Sequence, residues 1–288
     1  MRLRPWLLTA AAGLAVVHVI GVLFARPLYR PAEVLATLCL LAYAISYDLL
    51  ADRRPARWGL SVAAAVLVAG AALTVPPPAS DGAGWQFLSP EQYDGLIRRS
   101  QLESMIPVTV ALLFVLVLLV ISTLTEGRQW PSRTGLLTGI AAAVLVVGYT
   151  VVRLAVIEFE VHEVAIVVTF GDAAPARRLS AGVVAVLPLL LALTALALAV
   201  VTATQRRPRA AGGALLLAVT GLIWIDAAIG AARLSYAVHD DASMFSLDLF
   251  TATDTLPQPT QALTAAMQLT AAVLLIAGLA RRPSADRV

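Results

Sequence analysis

Five side chains capable of polar chemistry lie inside long apolar stretches of this 288-residue chain: His18, Tyr149, Arg153, Asp226 and Gln268. An ionised group at the centre of a bilayer costs about 2.5–3.5 kcal/mol on insertion scales, so each such residue is a functional candidate by default. Tyr149 and Arg153 are one helical turn apart and share a face. Asp226, Gly230 and Arg233 fall on one stripe, and the glycine leaves space beside the carboxylate. At about 1.5 Å per residue, His18 lies about 9 Å, Asp226 about 10 Å and Gln268 roughly 13 Å inside the nearer end of its apolar run. The spacing therefore predicts one polar layer. Its candidate ligand-binding residues are His18, Tyr149, Arg153, Asp226, Arg233 and Gln268, with Arg153 or Arg233 holding an anionic group and His18 or Asp226 handling protons. The same residues also fit a purely structural role, in which Asp226 pairs with Arg153 or Arg233 and His18 bonds a backbone carbonyl, tying helices together.

Composition removes other chemistries. All 21 basic residues are arginine, a bias that fits a GC-rich bacterial genome and leaves no lysine for a Schiff base. The single cysteine, Cys39, lies within an apolar run, so there is no internal disulfide, CxxC pair or cysteine metal cluster. HExxH, GxSxG and Walker motifs are absent, as is a GxxxG in a convincing apolar setting. No cofactor is called for. His239, Asp240, Asp241, Asp248 and Asp254 form an acidic segment in which Asp240 and Asp241 are weak metal candidates, but the spacing matches no calcium loop and fits a solvated loop better.

The elements that must position these groups follow from hydropathy. A mean hydropathy of +0.84 with only 14% charged residues predicts an all-α integral membrane protein. A hydrocarbon core of about 30 Å needs about 20 apolar residues per helix. Eight stretches qualify, about 6–24, 33–50, 58–76, 106–124, 134–155, 181–203, 210–233 and 259–280, giving a single eight-helix transmembrane bundle over 1–288. The first stretch lacks a convincing cleavage site and is read as a retained helix. Placing the amino terminus in the cytoplasm puts 13 arginines inside and 8 outside, the asymmetry that sets orientation. Both termini are then cytoplasmic, and the long loops 77–105, 156–180 and 234–258 face outward. The net charge of +3 is spread over segment ends, as topology signals rather than a nucleic-acid surface.

"ADRRPAR" and "QRRPRA" each follow the second span of a four-span half, so a 4+4 parallel repeat is one arrangement the pattern allows. The four-plus-four layout resembles haem A synthase, but three histidines on separate elements leave no intramembrane pair for haem. Long outer loops with Arg153 at a helix end resemble exosortase-type transpeptidases, which need an outer cysteine that Cys39 does not supply.

The outer loops carry small elements. Ser89, Pro90 and Gln92 are expected to open a short interfacial helix, with Tyr93, Leu96, Ile97 and Ser104 or Met105 on one side, and the same pattern fits a plain extension of the fourth span. Glu158, Glu160 and His162 alternate with Phe159 and Val161, a strand-like pattern. The stretch "HEVAIVVTFGDAAPARRLSAGVVAVLP" resembles the opening strands of the prohibitin and stomatin type domain, over less than a tenth of the chain, which implies at most one hairpin here. Asp48, with Tyr43, Ser46 and Tyr47, is expected as an interfacial anchor at the inner end of span two. Three function classes fit: a permease-like bacterial inner-membrane protein with a pocket in the outer half for a small polar or amphipathic ligand or a lipid headgroup; a membrane enzyme acting on a lipid-linked substrate; and a non-catalytic subunit docking a membrane-protein partner.

Overall fold

A computed structural model of the chain describes residues 3–24, 29–49, 58–73, 105–125, 132–165, 173–240 and 258–280. Eight helices lie among them: α1 (Leu3–Leu23), α2 (Tyr29–Asp48), α3 (Gly59–Leu73), α4 (Ile106–Thr125), α5 (Arg133–Ala165), α6 (Ala173–Thr204), α7 (Pro208–Asp240) and α8 (Gln258–Ala280). Helices α1, α2, α4, α6, α7 and α8 each carry a proline within their first three residues. A proline is harmless there, because the first turn's N–H groups have no partner within the helix, and its fixed φ suits a helix start.

The helices close into a ring. Helix α1 packs on α2, α2 on α3, α3 on α4, α4 on α6, α6 on α7, α7 on α8, and α8 returns to α1. Helix α5 stands outside, resting chiefly on α6 with a lighter contact to α7. Small residues make the close approaches: Ala63, Ala64, Ala195, Ala210, Ala214 and Ala271 are fully buried. A Cβ on Gly278 would lie 2.6 Å from the backbone nitrogen of Ala210, so α7 and α8 meet backbone to backbone. Small-residue interfaces of this kind let membrane helices associate through packing, where lipid removes the hydrophobic drive.

The exterior is apolar. Leu136, Leu137, Val144, Leu145, Val151 and Val152 on α5 are all about half exposed or more, and similar residues cover the outer faces of α1 and α4. Continuous apolar surface on this scale exceeds what water-soluble monomers carry. Helices α1, α4, α5, α6, α7 and α8 are each long and apolar enough to cross a membrane. The chain is a multi-pass membrane-type helical bundle. The remaining two helices of the expected eight spans differ: α3 has 15 residues, about 22 Å at the helical rise, and α2 carries Arg30, Glu33 and Asp48.

One end of the ring is tied by polar contacts. Asp48, at the end of α2, is 2% exposed; its Oδ2 accepts bonds from the Ser61 backbone N–H (2.9 Å) and hydroxyl (2.6 Å). The carboxylate thus satisfies a first-turn donor of α3 and meets the positive end of its dipole. Gln205 Nε2 donates to the Ser122 carbonyl (2.9 Å), and an Arg207 Nη donates to the Leu279 carbonyl (2.6 Å). Between α6 and α7, Arg206 N–H donates to Ala203 O and Arg207 N–H to Thr202 O, both at 3.0 Å, with Arg206 at φ 55°. This is the paired-bond helix stop in which one residue turns left-handed.

The strand-like reading of residues 158–165 is overturned: α5 continues through them to Ala165, and Ala173–Pro188 of the stretch resembling the prohibitin and stomatin domain is helical as well. Residues 166–172 lie outside the described set. The physical reason is cooperativity. Extending an existing helix adds a hydrogen bond per residue fixed, whereas alternation alone, with no partner strand, gains nothing. The short helix expected from Ser89 also lies outside the described residues.

Candidate functional site

The ring lines a partly open cavity of about 80 Å³ at the end opposite the Asp48 ties. The antiparallel succession fixes that placement, since His18 lies in the last two turns of α1 and Glu33 in the first two turns of α2, whereas Asp48 ends α2. Four polar side chains border it: His18, Glu33, Thr37 and Gln268. His18 is 6% exposed, and its Nδ1 lies 3.9 Å from Glu33 Oε2. The Thr37 hydroxyl turns back to the Glu33 and Val34 carbonyls of its own helix, at 3.1 and 2.9 Å. Gln268 Nε2 is buried and has no hydrogen-bond partner among the described residues. The walls are apolar, with Leu67, Val110, Phe114, Leu217 and Leu269.

A buried amide donor left unpaired is costly, so an acceptor belongs beside it. Glu33, on the opposing helix, presents an acceptor to the same space. The cavity therefore matches a small species that both accepts and donates hydrogen bonds. A water needs about 10–15 Å³ on this measure, so the volume holds roughly half a dozen waters or a solute of a few non-hydrogen atoms, well below the ~300 Å³ of ordinary small-molecule pockets.

A second polar cluster lies between α5 and α7. Asp226 Oδ1 accepts a bond from Arg153 Nε at 2.5 Å and Oδ2 accepts one from the Tyr149 hydroxyl at 2.6 Å. The i, i+4 spacing of Tyr149 and Arg153 brings both to a single carboxylate on the neighbouring helix. The Arg153 and Asp226 side chains are 38% and 40% exposed, so the cluster sits on the outer surface of the bundle.

The predicted polar layer is thus divided. His18 and Gln268 face the ring cavity, while Tyr149, Arg153 and Asp226 meet outside it; none of the latter three lines the cavity. Arg233 is on α7 beyond Asp226, but its side chain lies outside the described set, as does Gly230's Cα environment. Asp240 closes α7 and Asp241 lies outside the described residues; among the described residues no three His, Cys, Asp or Glu side chains gather as a metal site. Glu33 is the site residue that sequence reading missed, although a signal existed. His18 and Glu33 are only 15 residues apart, on helices that follow one another in the chain and pack together.

Comparison with protein-family models, with curated proteins and with solved structures returns no match for this chain.

Proposed function

We propose that this protein is a permease-like membrane protein of the bacterial cell membrane that binds a small polar solute in the ring cavity. The observation that carries the reading is the unpaired, buried Gln268 amide facing the same small space as Glu33 and His18. Polar groups at membrane depth are retained where they line a solute or ion pathway. In this reading α2 and α3 also cross the bilayer, both termini are cytoplasmic, and the cavity opens toward the outer side, as the arginine distribution requires. The ties at the other end, Asp48 with Ser61 and Gln205 with the Ser122 carbonyl, form the inner closure that must loosen for passage. Pro188 offers a bending point in α6: it removes one helical hydrogen bond, and Gly221 of α7 packs directly against its carbonyl.

The test is flux through proteoliposomes, followed by stopped-flow light scattering with a panel of solutes of a few non-hydrogen atoms, including urea, glycerol, acetamide and ammonium. At least one solute is expected to equilibrate faster than in protein-free vesicles, and the increment to disappear in Gln268→Leu and Glu33→Gln. Rates equal to those of empty vesicles for the whole panel contradict the reading.

A further inference from the structure

The Tyr149–Arg153–Asp226 cluster stands apart from the cavity and has hydrogen-bond donors to spare. Both oxygens of Asp226 are engaged, one by Arg153 Nε and one by the Tyr149 hydroxyl. The guanidinium is therefore held by its Nε edge. Its two Nη groups, four N–H donors, have no partner among the described residues, and the side chain is 38% exposed. The apolar run of α5 ends at Val156, three residues beyond Arg153 or about 4.5 Å along the helix. This depth is where hydrocarbon gives way to headgroups, the level at which lipid phosphates lie. Below Arg153 the helix offers a lipid-facing stripe: Leu145, Tyr149 and Val152 recur at i, i+4 and i+7, and all are exposed.

A phospholipid supplies both complements at once, phosphate oxygens for the paired Nη donors and an acyl chain for the stripe. The planar guanidinium fork matches phosphate in a bidentate manner that a point charge does not. The headgroup type follows from charge. Asp226 already neutralises Arg153, and Glu158 and Glu160 follow on α5, about 7.5 and 10.5 Å farther toward the aqueous side. A phosphate followed by an ammonium suits that order of charges, and a headgroup with net negative charge does not.

We propose that Arg153, oriented by Asp226 and Tyr149, binds the phosphate of a zwitterionic phospholipid whose acyl chain lies along the Leu145–Val152 stripe of α5. Asp226 and Tyr149 are positioning residues in this site, and Arg153 makes the contact. The site is independent of the ring cavity, and solute flux does not enter its test.

The full chain in maltoside micelles is titrated with phosphatidylethanolamine while its melting temperature is followed, and the half-saturating lipid fraction is compared between variants. Arg153→Gln is expected to raise that fraction roughly tenfold, the loss of a charge-assisted bond pair. Arg153→Lys, which keeps the charge without the fork, is expected to raise it by roughly threefold and decides the matter if Arg153→Gln does not fold. Phosphatidylglycerol is expected to act only at higher fractions than phosphatidylethanolamine, and dioleoylglycerol and millimolar inorganic phosphate to leave the melting temperature unchanged. An unaltered titration in the folded Arg153 variant overturns the site. So does a response to dioleoylglycerol or inorganic phosphate equal to that of the ethanolamine lipid, or tighter binding of phosphatidylglycerol.

Discussion

Removing Asp226 gives the sharpest test of how α5 is held. Helix α5 lies outside the ring on α6, and among the described residues its polar link to α7 runs through one carboxylate that takes a bond from Arg153 and another from Tyr149. Interhelical hydrogen bonds in membranes average about 0.6 kcal/mol and reach about 1.7, so the two together amount to about 1–2 kcal/mol. Asp226→Ala also strands the arginine. That charge costs about 2.5–3.5 kcal/mol at a bilayer centre, but Arg153 is near the span end and 38% exposed, so the contribution is discounted to about 1 kcal/mol. The expected loss is about 2–3 kcal/mol for Asp226→Ala. Tyr149→Phe should lose about 0.6 kcal/mol, the average for a single bond. In a double-mutant cycle with Arg153→Ala, measured by detergent-induced unfolding, the double variant should be no less stable than Asp226→Ala, because no charge is left stranded. A coupling within about 0.3 kcal/mol of zero, the ordinary scatter of additivity, would show that the cluster is not a tie.

Three further outcomes follow from the packing. Gly278→Ala should destabilise by about 1–3 kcal/mol through overpacking, since its Cβ would meet the Ala210 backbone, whereas Gly148→Ala, with nothing within 4 Å, should be neutral or gain up to about 1 kcal/mol; unfolding midpoints compare the two. Arg206→Gly should stabilise by about 0.5–1 kcal/mol because the left-handed backbone at that position suits glycine, which thermal melts would register. Asp48→Ala should cost about 1–3 kcal/mol by leaving the buried Ser61 donors unmet, with Ser61→Ala costing less because it keeps the backbone bond, a ranking that unfolding midpoints read directly.

The parts of the fold legible in the sequence are those written in continuous apolar length. Runs such as 106–124 and 259–280 coincide with α4 and α8 to within a residue, because crossing a bilayer demands both length and apolarity. Residues 158–165 misled because alternation between charged and apolar side chains carries the strand period, while the helix already under way from Arg133 sets the local outcome. The site was legible only in fragments. The Tyr149–Arg153 spacing is visible within one helix, but their meeting with Asp226, 73 to 77 residues away, depends on where α5 rests on α6, a matter of three-dimensional register. The same register sends His18 and Gln268 into the ring and leaves Asp226 outside it, although all three lie at similar depths along their helices. The contacts His18 with Glu33 and Asp48 with Ser61 each join successive helices over a short stretch of sequence. Those were within reach of the sequence.

The orientation of the ring decides whether the cavity and the Arg153 cluster face the exterior, and impermeant-thiol labelling measures it directly. In a Cys39→Ala background, single cysteines at Ser89 and at Arg207 are exposed to a membrane-impermeant maleimide in intact cells and again after permeabilisation. Labelling of Ser89→Cys in intact cells, with Arg207→Cys reacting only after permeabilisation, is the expected result. The reverse pattern would place the His18 and Arg153 end in the cytoplasm and contradict the account.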